Sequence, residues 1–423
     1  MTDSPIFIHS LFRAGSTYIF NVFRRSKSGY WCYQEPFHES AYFAKHEPNL
    51  LLQEGGVKMF DFLRHPTLDK DYFHELHSVW PAWRDALVQP VIYDAYFAPA
   101  HMDVGINFLE TLIDATKSRT VIQECRTSGR IGTIKKKIGG HHIYLWRNPW
   151  DQWWSYKVAD YFDVANQVII NGREVPDVVK RLRNVIAFEA YNSLNINDLF
   201  KHFALKPLSA ENSYLVFYTL WCLGLREGLQ YADLMINIDR LSESPEYQSE
   251  IENKLLKADI EGIHFSDCSV PQGFYHIKER DFFTSLENKV YGLLVSSGWT
   301  QSDVNLVTEV RKEFEPSVLN QQVKVLNSKD IEEQSRRAKD LAKRYENKVA
   351  QISVEYLTVK IELDKTQNRF DQAEARINQA EARIKQADAA LTALHKSFSW
   401  RITVPLRKLS SFIKSIQQRI KRP

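Results

Sequence analysis

Two short stretches carry residue types suited to holding an anion. The first, Arg13-Ala14-Gly15-Ser16-Thr17-Tyr18, follows the apolar run Ile6-Phe7-Ile8 and precedes Ile19, Val22 and Phe23 at helical spacing. A buried strand, a tight turn with one glycine and a helix start direct turn N–H groups and the positive helix end at one place. The first glycine and the Gly-Lys-Ser/Thr ending of the ATPase loop are missing. The second stretch runs from Arg147 to Ser155 within IYLWRNPWDQWWSY. Here Ile143–Trp146 reads as a strand that delivers Arg147 at its end. Pro149 stops it, and Asp151 falls in the first turn of a helix. A guanidinium fork and a hydroxyl eight residues later suit a single phosphate. Either stretch alone also fits a structural β–α corner with a surface arginine; both in one chain make coincidence the weaker explanation.

The elements that must position these residues are legible as apolar runs. IFIHS, GVKMFDFL, TVIQEC, HHIYLW and ADLMINI alternate with amphipathic segments, which reads as an α/β domain: a P-loop-like, mainly parallel sheet flanked by helices. All sixteen glycines lie at or before Gly298. The expected organisation is therefore an α/β domain over residues 1–305, a linker over 306–328, a coiled coil over 329–395 and a tail over 396–423. In the coiled coil Val349, Tyr356, Leu363, Phe370, Ile377, Ile384 and Leu391 occupy position a. Ile352, Val359, Thr366, Ala373, Ala380, Ala387 and Leu394 occupy d, with no break in phase. A seam this regular predicts a homo-oligomer, and at 1.5 Å per residue a helix roughly 70 Å long.

Composition narrows the class. The chain has 423 residues, 44% of them hydrophobic, and four cysteines without C-x-x-C spacing, which argues against a zinc site or a disulfide framework. No metal is expected; Asp69-Lys70-Asp71 is a lone D-x-D that reads as a surface loop. The start MTDSP has neither a basic patch nor a long apolar run, so no signal peptide is expected, and no stretch is long and apolar enough to span a membrane. These features lead to the expectation of a reduced, cytoplasmic protein. Nothing points to nucleic acid. From Lys396 to Pro423 there are eight cations and no acid; without them the net charge of +3 becomes −5 over the first 395 residues. Leu406, Leu409, Ile413, Ile416 and Ile420 step by three and four through this basic tail. That pattern fits an anionic membrane surface, or docking on the acidic body.

The two anion stretches resemble the sulfotransferases that use 3′-phosphoadenosine 5′-phosphosulfate (PAPS), particularly the carbohydrate sulfotransferases. Phe12-Arg13-Ala14-Gly15-Ser16-Thr17-Tyr18 is similar to their first motif, which wraps the 5′-phosphosulfate. Arg147 to Ser155 is similar to the second, Arg-[Asp/Asn]-Pro-x-Asp-x-x-x-Ser, which holds the 3′-phosphate. Ile238-Asp239-Arg240-Leu241 is a looser match to a late turn of the family, and the resemblance covers roughly residues 5–300. No adenine-binding motif is visible. The resemblance implies PAPS as donor and a glycan as acceptor, with Arg13 and the turn amides stabilising charge on the leaving phosphate.

An acceptor hydroxyl must also lose a proton. The family has a Glu-Pro element after its second strand, matched here by Glu35-Pro36, so Glu35 is the first candidate base, followed by His38 and Glu39. Glu35 instead orienting the loop is the structural alternative. Glu124-Cys125-Arg126 and Arg130 close another strand, where they contact a ligand or form an ion pair. Trp80, Trp83 and the tryptophans of LWRNPWDQWWSY suit stacking on sugars or core packing. The stretch from Ser397 to Arg407 resembles a tail found after coiled coils on bacterial glycan-assembly enzymes. This implies work at the cytoplasmic face of the inner membrane on a surface polysaccharide or its lipid-linked precursor. A glycosyltransferase using the D-x-D, or a scaffold without chemistry, are the competing readings.

Overall fold

The computed structural model describes residues 4–52, 68–89, 92–98, 103–316, 318–319, 372–393, 396 and 403–420. The chain divides into two compact units, Met1–Gln322 and Val323–Pro423.

The first unit is built on a five-stranded parallel sheet: β1 (Ile6–Ser10), β2 (Trp31–Gln34), β3 (Thr120–Glu124), β4 (His141–Trp146) and β5 (Leu234–Asn237). Their order across the sheet is β2-β3-β1-β4-β5. β1 is therefore central, with Ile8 opposite Gln123 on one side and Ile143 on the other. Every β1 residue is buried, as expected when helices cover both faces of a parallel sheet. The strand alternation sorts the core. Ile6 and Ile8 join Ile19, Phe20 and Phe23 of helix α1 (Ser16–Arg24) on one face, while Phe7 joins Tyr33, Leu109, Ile122 and Ile134 on the other.

Six further helices matter for the site: α2 (Ile131–Ile138), α3 (Pro149–Tyr156), α4 (Tyr161–Asn171), α5 (Ala210–Tyr231), α6 (Ile277–Ser296) and α7 (Gln301–Lys312). Buried Glu287 of α6 accepts from Trp150 Nε1 of α3 at 2.7 Å and from Tyr214 of α5 at 2.8 Å, and pairs with Arg311 of α7. The expected boundary at 305 thus falls inside α7. Thr300 and Asp303 form a capping box that starts this helix, so residues 306–312 are helical and packed, not linker.

In the second unit, residues 372–393 and Val404–Ile420 are helical. Ile377, Ile384 and Leu391, all at a positions, are exposed in the single chain, as are Leu406, Leu409, Phe412 and Ile413. The strand-like run GVKMFDFL and the earlier heptads lie outside the described residues.

Candidate active site

The loop after β1 is built under backbone constraint. Arg13 has φ 64 and Gly15 φ 84, both left-handed. A side chain at Gly15 would meet Ile238 Cγ1 at 2.7 Å, so glycine is required for space as well as for conformation. Arg13 has no such licence and holds a strained conformation, a feature that concentrates at functional loops. Gly15 caps α1, whose first-turn amides at Ser16 and Thr17 have no acceptor within the helix.

On the other side of the central strand, β4 ends at Trp146 and α3 starts at Pro149, with Asn148 accepting from Trp150 N at 2.9 Å as the N-cap. Arg147 donates through Nε to Asp239 Oδ1 at 3.0 Å and through an Nη to the Pro271 carbonyl. Burial pushes the Asp239 carboxyl up to about 6, against the pull of Arg147. Arg13 Nε donates to Ser155 Oγ at 3.0 Å, so a residue of the first motif touches a residue of the second.

Both motifs open onto one cavity of about 810 Å³ at the carboxyl edge of the sheet, where ligands of open α/β sheets bind. Of the expected site residues, Arg13, Gly15, Ser16, Thr17, Tyr18, Arg147, Ser155, Glu35, His38 and Glu39 line it. Ala14 does not; its methyl packs in the core with Ile8 and Ile19. Trp154, 48% exposed, is the tryptophan in the lining, whereas Trp83 and Trp150 are core residues.

After β2, Glu35 adopts φ 39. Its Oε1 accepts from Tyr72 at 2.8 Å and its Oε2 from Arg126 at 2.8 Å, with the Cys125 thiol 3.6 Å away. Glu39 accepts from Arg126 at 2.9 Å, Tyr93 at 3.1 Å and Tyr161 at 2.6 Å. Arg126, 0% exposed, also reaches Glu124 at 3.4 Å. One buried guanidinium thus serves three carboxylates. Burial raises Glu35, but Arg126, His38 and the hydrogen bonds outweigh it and hold the carboxyl below its usual range. Burial is likewise overcome at Glu39, which sits at about 2 beside His38, Arg126 and the Tyr161 hydroxyl. At Glu124 burial wins, raising it to about 7.

His38 caps the helix Glu39–Phe43 by accepting from Ser40 N at Nδ1, 3.0 Å. Its neutral ring therefore carries the proton on Nε2, and burial pulls its pKa below 6.5. In that form Nε2 is a donor and not a proton acceptor.

Sequence reading missed Tyr72 and Tyr161, and also the strap from Asp267 to Tyr275 that forms a cavity wall. Asp267 accepts from Arg25 at 2.5 and 2.7 Å and from Tyr18 at 2.8 Å. Asp151 accepts from Gly273 N at 2.8 Å and Tyr275 OH at 2.5 Å. The strap is thereby fastened to both motif helices, α1 and α3. Its Val-Pro-Gln-Gly run signals only a turn, and nothing in it announces a ligand.

The D-x-D loop has a structural occupation, because Arg24 donates to the carbonyls of Lys70 and Asp71 and pairs with Glu75. Among the described residues no group of three His, Cys, Asp or Glu side chains is placed to hold a metal. Nor does any described helix have the length and apolarity to cross a membrane.

No protein-family model matches the chain, and no curated protein does. Among solved structures, a sulfotransferase from Mycobacterium avium superposes with a TM-score of 0.34 at 12% identity, over 75% of this chain and 78% of that one. A superposition that loose carries no argument about chemistry, which rests on this chain's own residues.

Proposed function

We propose that the chain is a sulfotransferase that moves a sulfuryl group from PAPS to a hydroxyl of a carbohydrate, in a bacterial surface polysaccharide or its lipid-linked precursor. The observation that carries this reading is the Arg13–Ser155 contact, which joins two anion motifs from distant parts of the chain over one cavity. The loop amides and Arg13 would hold the 5′-phosphosulfate, and Arg147 with Ser155 the 3′-phosphate. The acceptor oxygen attacks sulfur as the bond from sulfur to the 5′-phosphate oxygen breaks. The electron pair leaves on that phosphate, opposite Arg13, and the hydroxyl proton passes to Glu35 or Glu39. In-line transfer of this kind needs alignment and charge stabilisation, both of which fixed side chains supply. A glycosyltransferase reading would need the D-x-D, and neither Asp69 nor Asp71 lines this cavity. A scaffold would have no use for a strained Arg13.

Titration with adenosine 3′,5′-bisphosphate and adenosine 5′-phosphate tests the donor site. Arg147→Ala should cost the bisphosphate on the order of 2–3 kcal/mol and the monophosphate far less, since only the former carries the 3′-phosphate. Equal losses would remove Arg147 from the site.

The same proposal places the enzyme peripherally on anionic lipid at the cytoplasmic face of the inner membrane, with residues 329–395 pairing chains as a spacer. Its support is the exposure of Leu406, Leu409, Phe412 and Ile413 on a helix that also carries Arg407, Lys408 and Lys414. Deleting 396–423 should abolish co-sedimentation with anionic vesicles; a truncated chain that still sediments would make the tail a protein-docking segment.

A further inference from the structure

The loop of the first motif is held from behind by the helix of the second. Arg13 has φ 64, a left-handed value that a residue with a side chain adopts only at a cost. Rotation about φ turns Arg13 relative to the peptide plane it shares with Phe12, so whatever fixes that plane bears directly on Arg13. Two contacts fix it. The Phe12 carbonyl accepts from Gln152 Nε2 of α3 at 2.7 Å. The Phe12 ring packs among Tyr156, Tyr161 and Phe162, at 6.5, 6.3 and 5.8 Å between centroids. At the far end of the residue, Arg13 Nε donates to Ser155 Oγ at 3.0 Å and the guanidinium lies over the Phe162 ring.

Gln152 sits one turn before Ser155 on α3, so both side chains reach the loop from one face of the helix. It is 1% exposed and does not line the cavity. A carbonyl only accepts, so the amide must turn its NH2 toward Phe12. Its Oε1 then has no hydrogen-bond partner among the described residues. A buried acceptor without a partner costs stability. A side chain that served only to fill this space would be apolar and escape that cost; the donor to Phe12 is what the amide adds. Without that donor the peptide plane can turn, and Arg13 relaxes toward negative φ and away from Ser155.

We propose that Gln152 is a positioning residue: its amide holds the Phe12 carbonyl so that Arg13 keeps its left-handed conformation and presents its guanidinium to the 5′-phosphate end of the donor nucleotide. The inference rests on the sulfotransferase reading for the identity of the anion, whereas the backbone constraint does not.

Calorimetric titration of the full chain with adenosine 3′,5′-bisphosphate and adenosine 3′-phosphate tests this, because only the bisphosphate brings a phosphate to the Arg13 loop. Gln152→Met keeps the bulk and removes the donor. It should weaken the bisphosphate by about tenfold, the scale of one charge-assisted contact, and the 3′-phosphate by less than about twofold. In an Arg13→Ala background the same substitution should add less than about twofold, since its effect passes through Arg13. A damaged α3 would weaken both nucleotides, because Ser155 belongs to that helix and Arg147 leads into it; equal losses overturn the proposal. A tenfold loss that persists without Arg13 overturns it too. Should Gln152→Met fail to fold, a crystal structure of the wild-type chain with the bisphosphate decides. Arg13 left-handed against the 5′-phosphate, with Gln152 still on the Phe12 carbonyl, supports the role; a released carbonyl or an Arg13 turned away ends it. A wild-type chain that binds neither nucleotide sinks the sulfotransferase reading and this role together, whereas bisphosphate binding without the selective loss sinks this role alone.

Discussion

Arg126 leaves β3 and Arg147 leaves β4, on either side of the central strand, and both side chains are buried beside carboxylates, yet their situations are opposite. Arg126 faces three acids, is closed off from the cavity, and has its guanidinium held well above its ordinary pKa by the surrounding tyrosines and carboxylates in spite of burial. Arg147 faces one acid and one carbonyl, and it lines the cavity. A guanidinium outnumbered by buried acids is committed to holding the fold. One in a single pair, whose acid burial has already raised to about 6, can exchange partners for a ligand anion. The same residue type at matching places in the sheet is thus closed off at β3 and cavity-facing at β4. Only the count of surrounding acids and the access to the cavity tell them apart.

Replacing the outnumbered arginine should have the largest effect. Arg126→Ala leaves three buried carboxylates without a counter-ion, which should destabilise the fold by about 3–5 kcal/mol, as read from urea denaturation. The pH response follows from the shifts. In the native chain Glu39 is depressed from 4.5 to about 2, so the stability it contributes is present above about 4.5 and is lost as pH falls through about 2. Without Arg126, Glu35 loses the largest influence that offsets its burial and its carboxyl rises, whereas Glu39 keeps His38 and the Tyr161 hydroxyl. Insofar as Glu35 rises above its unfolded value, it stabilises the variant fully only below about 4.5. The gap between variant and wild type should therefore narrow as pH falls from 7 toward 4.5. A variant that denatures like wild type at neutral pH would break the contrast, because Arg126 would then be as replaceable as Arg147.

How far this contrast was legible beforehand depends on the range of the interactions. The runs IFIHS, TVIQEC, HHIYLW and ADLMINI each contain a strand of the sheet, because burial on both faces writes itself as continuous apolar sequence. The turn at Gly15 and the helix start at Pro149 were legible because their chemistry is local. The partners of Arg126 come from positions 35, 39 and 124, and the hydroxyls that complete them from 72, 93 and 161. No spacing rule joins such residues; strand order does, and strand order is a property of the whole sheet. α7 was legible in principle, since Thr300 and Asp303 form a capping box, but the glycine-free stretch beyond Gly298 suggested an earlier boundary.

The proton is where the acid-rich end can be sharpened further. Glu35 is ionised at neutral pH, holds a left-handed backbone at φ 39 and has about one acceptor site left. His38 accepts the Ser40 amide at its Nδ1, so its neutral ring carries the proton on Nε2. Glu35→Gln keeps an oxygen for Tyr72 or Arg126 and removes the charge that takes the proton. Turnover should fall by about 100-fold or more, roughly 2.7 kcal/mol of barrier, with affinity for adenosine 3′,5′-bisphosphate unchanged. His38→Ala should cost less than about tenfold, since it removes a cap and not a base. With Glu35 below its ordinary 4.5, turnover should stay level as pH drops from 7 to about 5. An active Glu35→Gln beside a dead His38→Ala would move the proton to the imidazole and make Glu35 a second structural acid on Arg126.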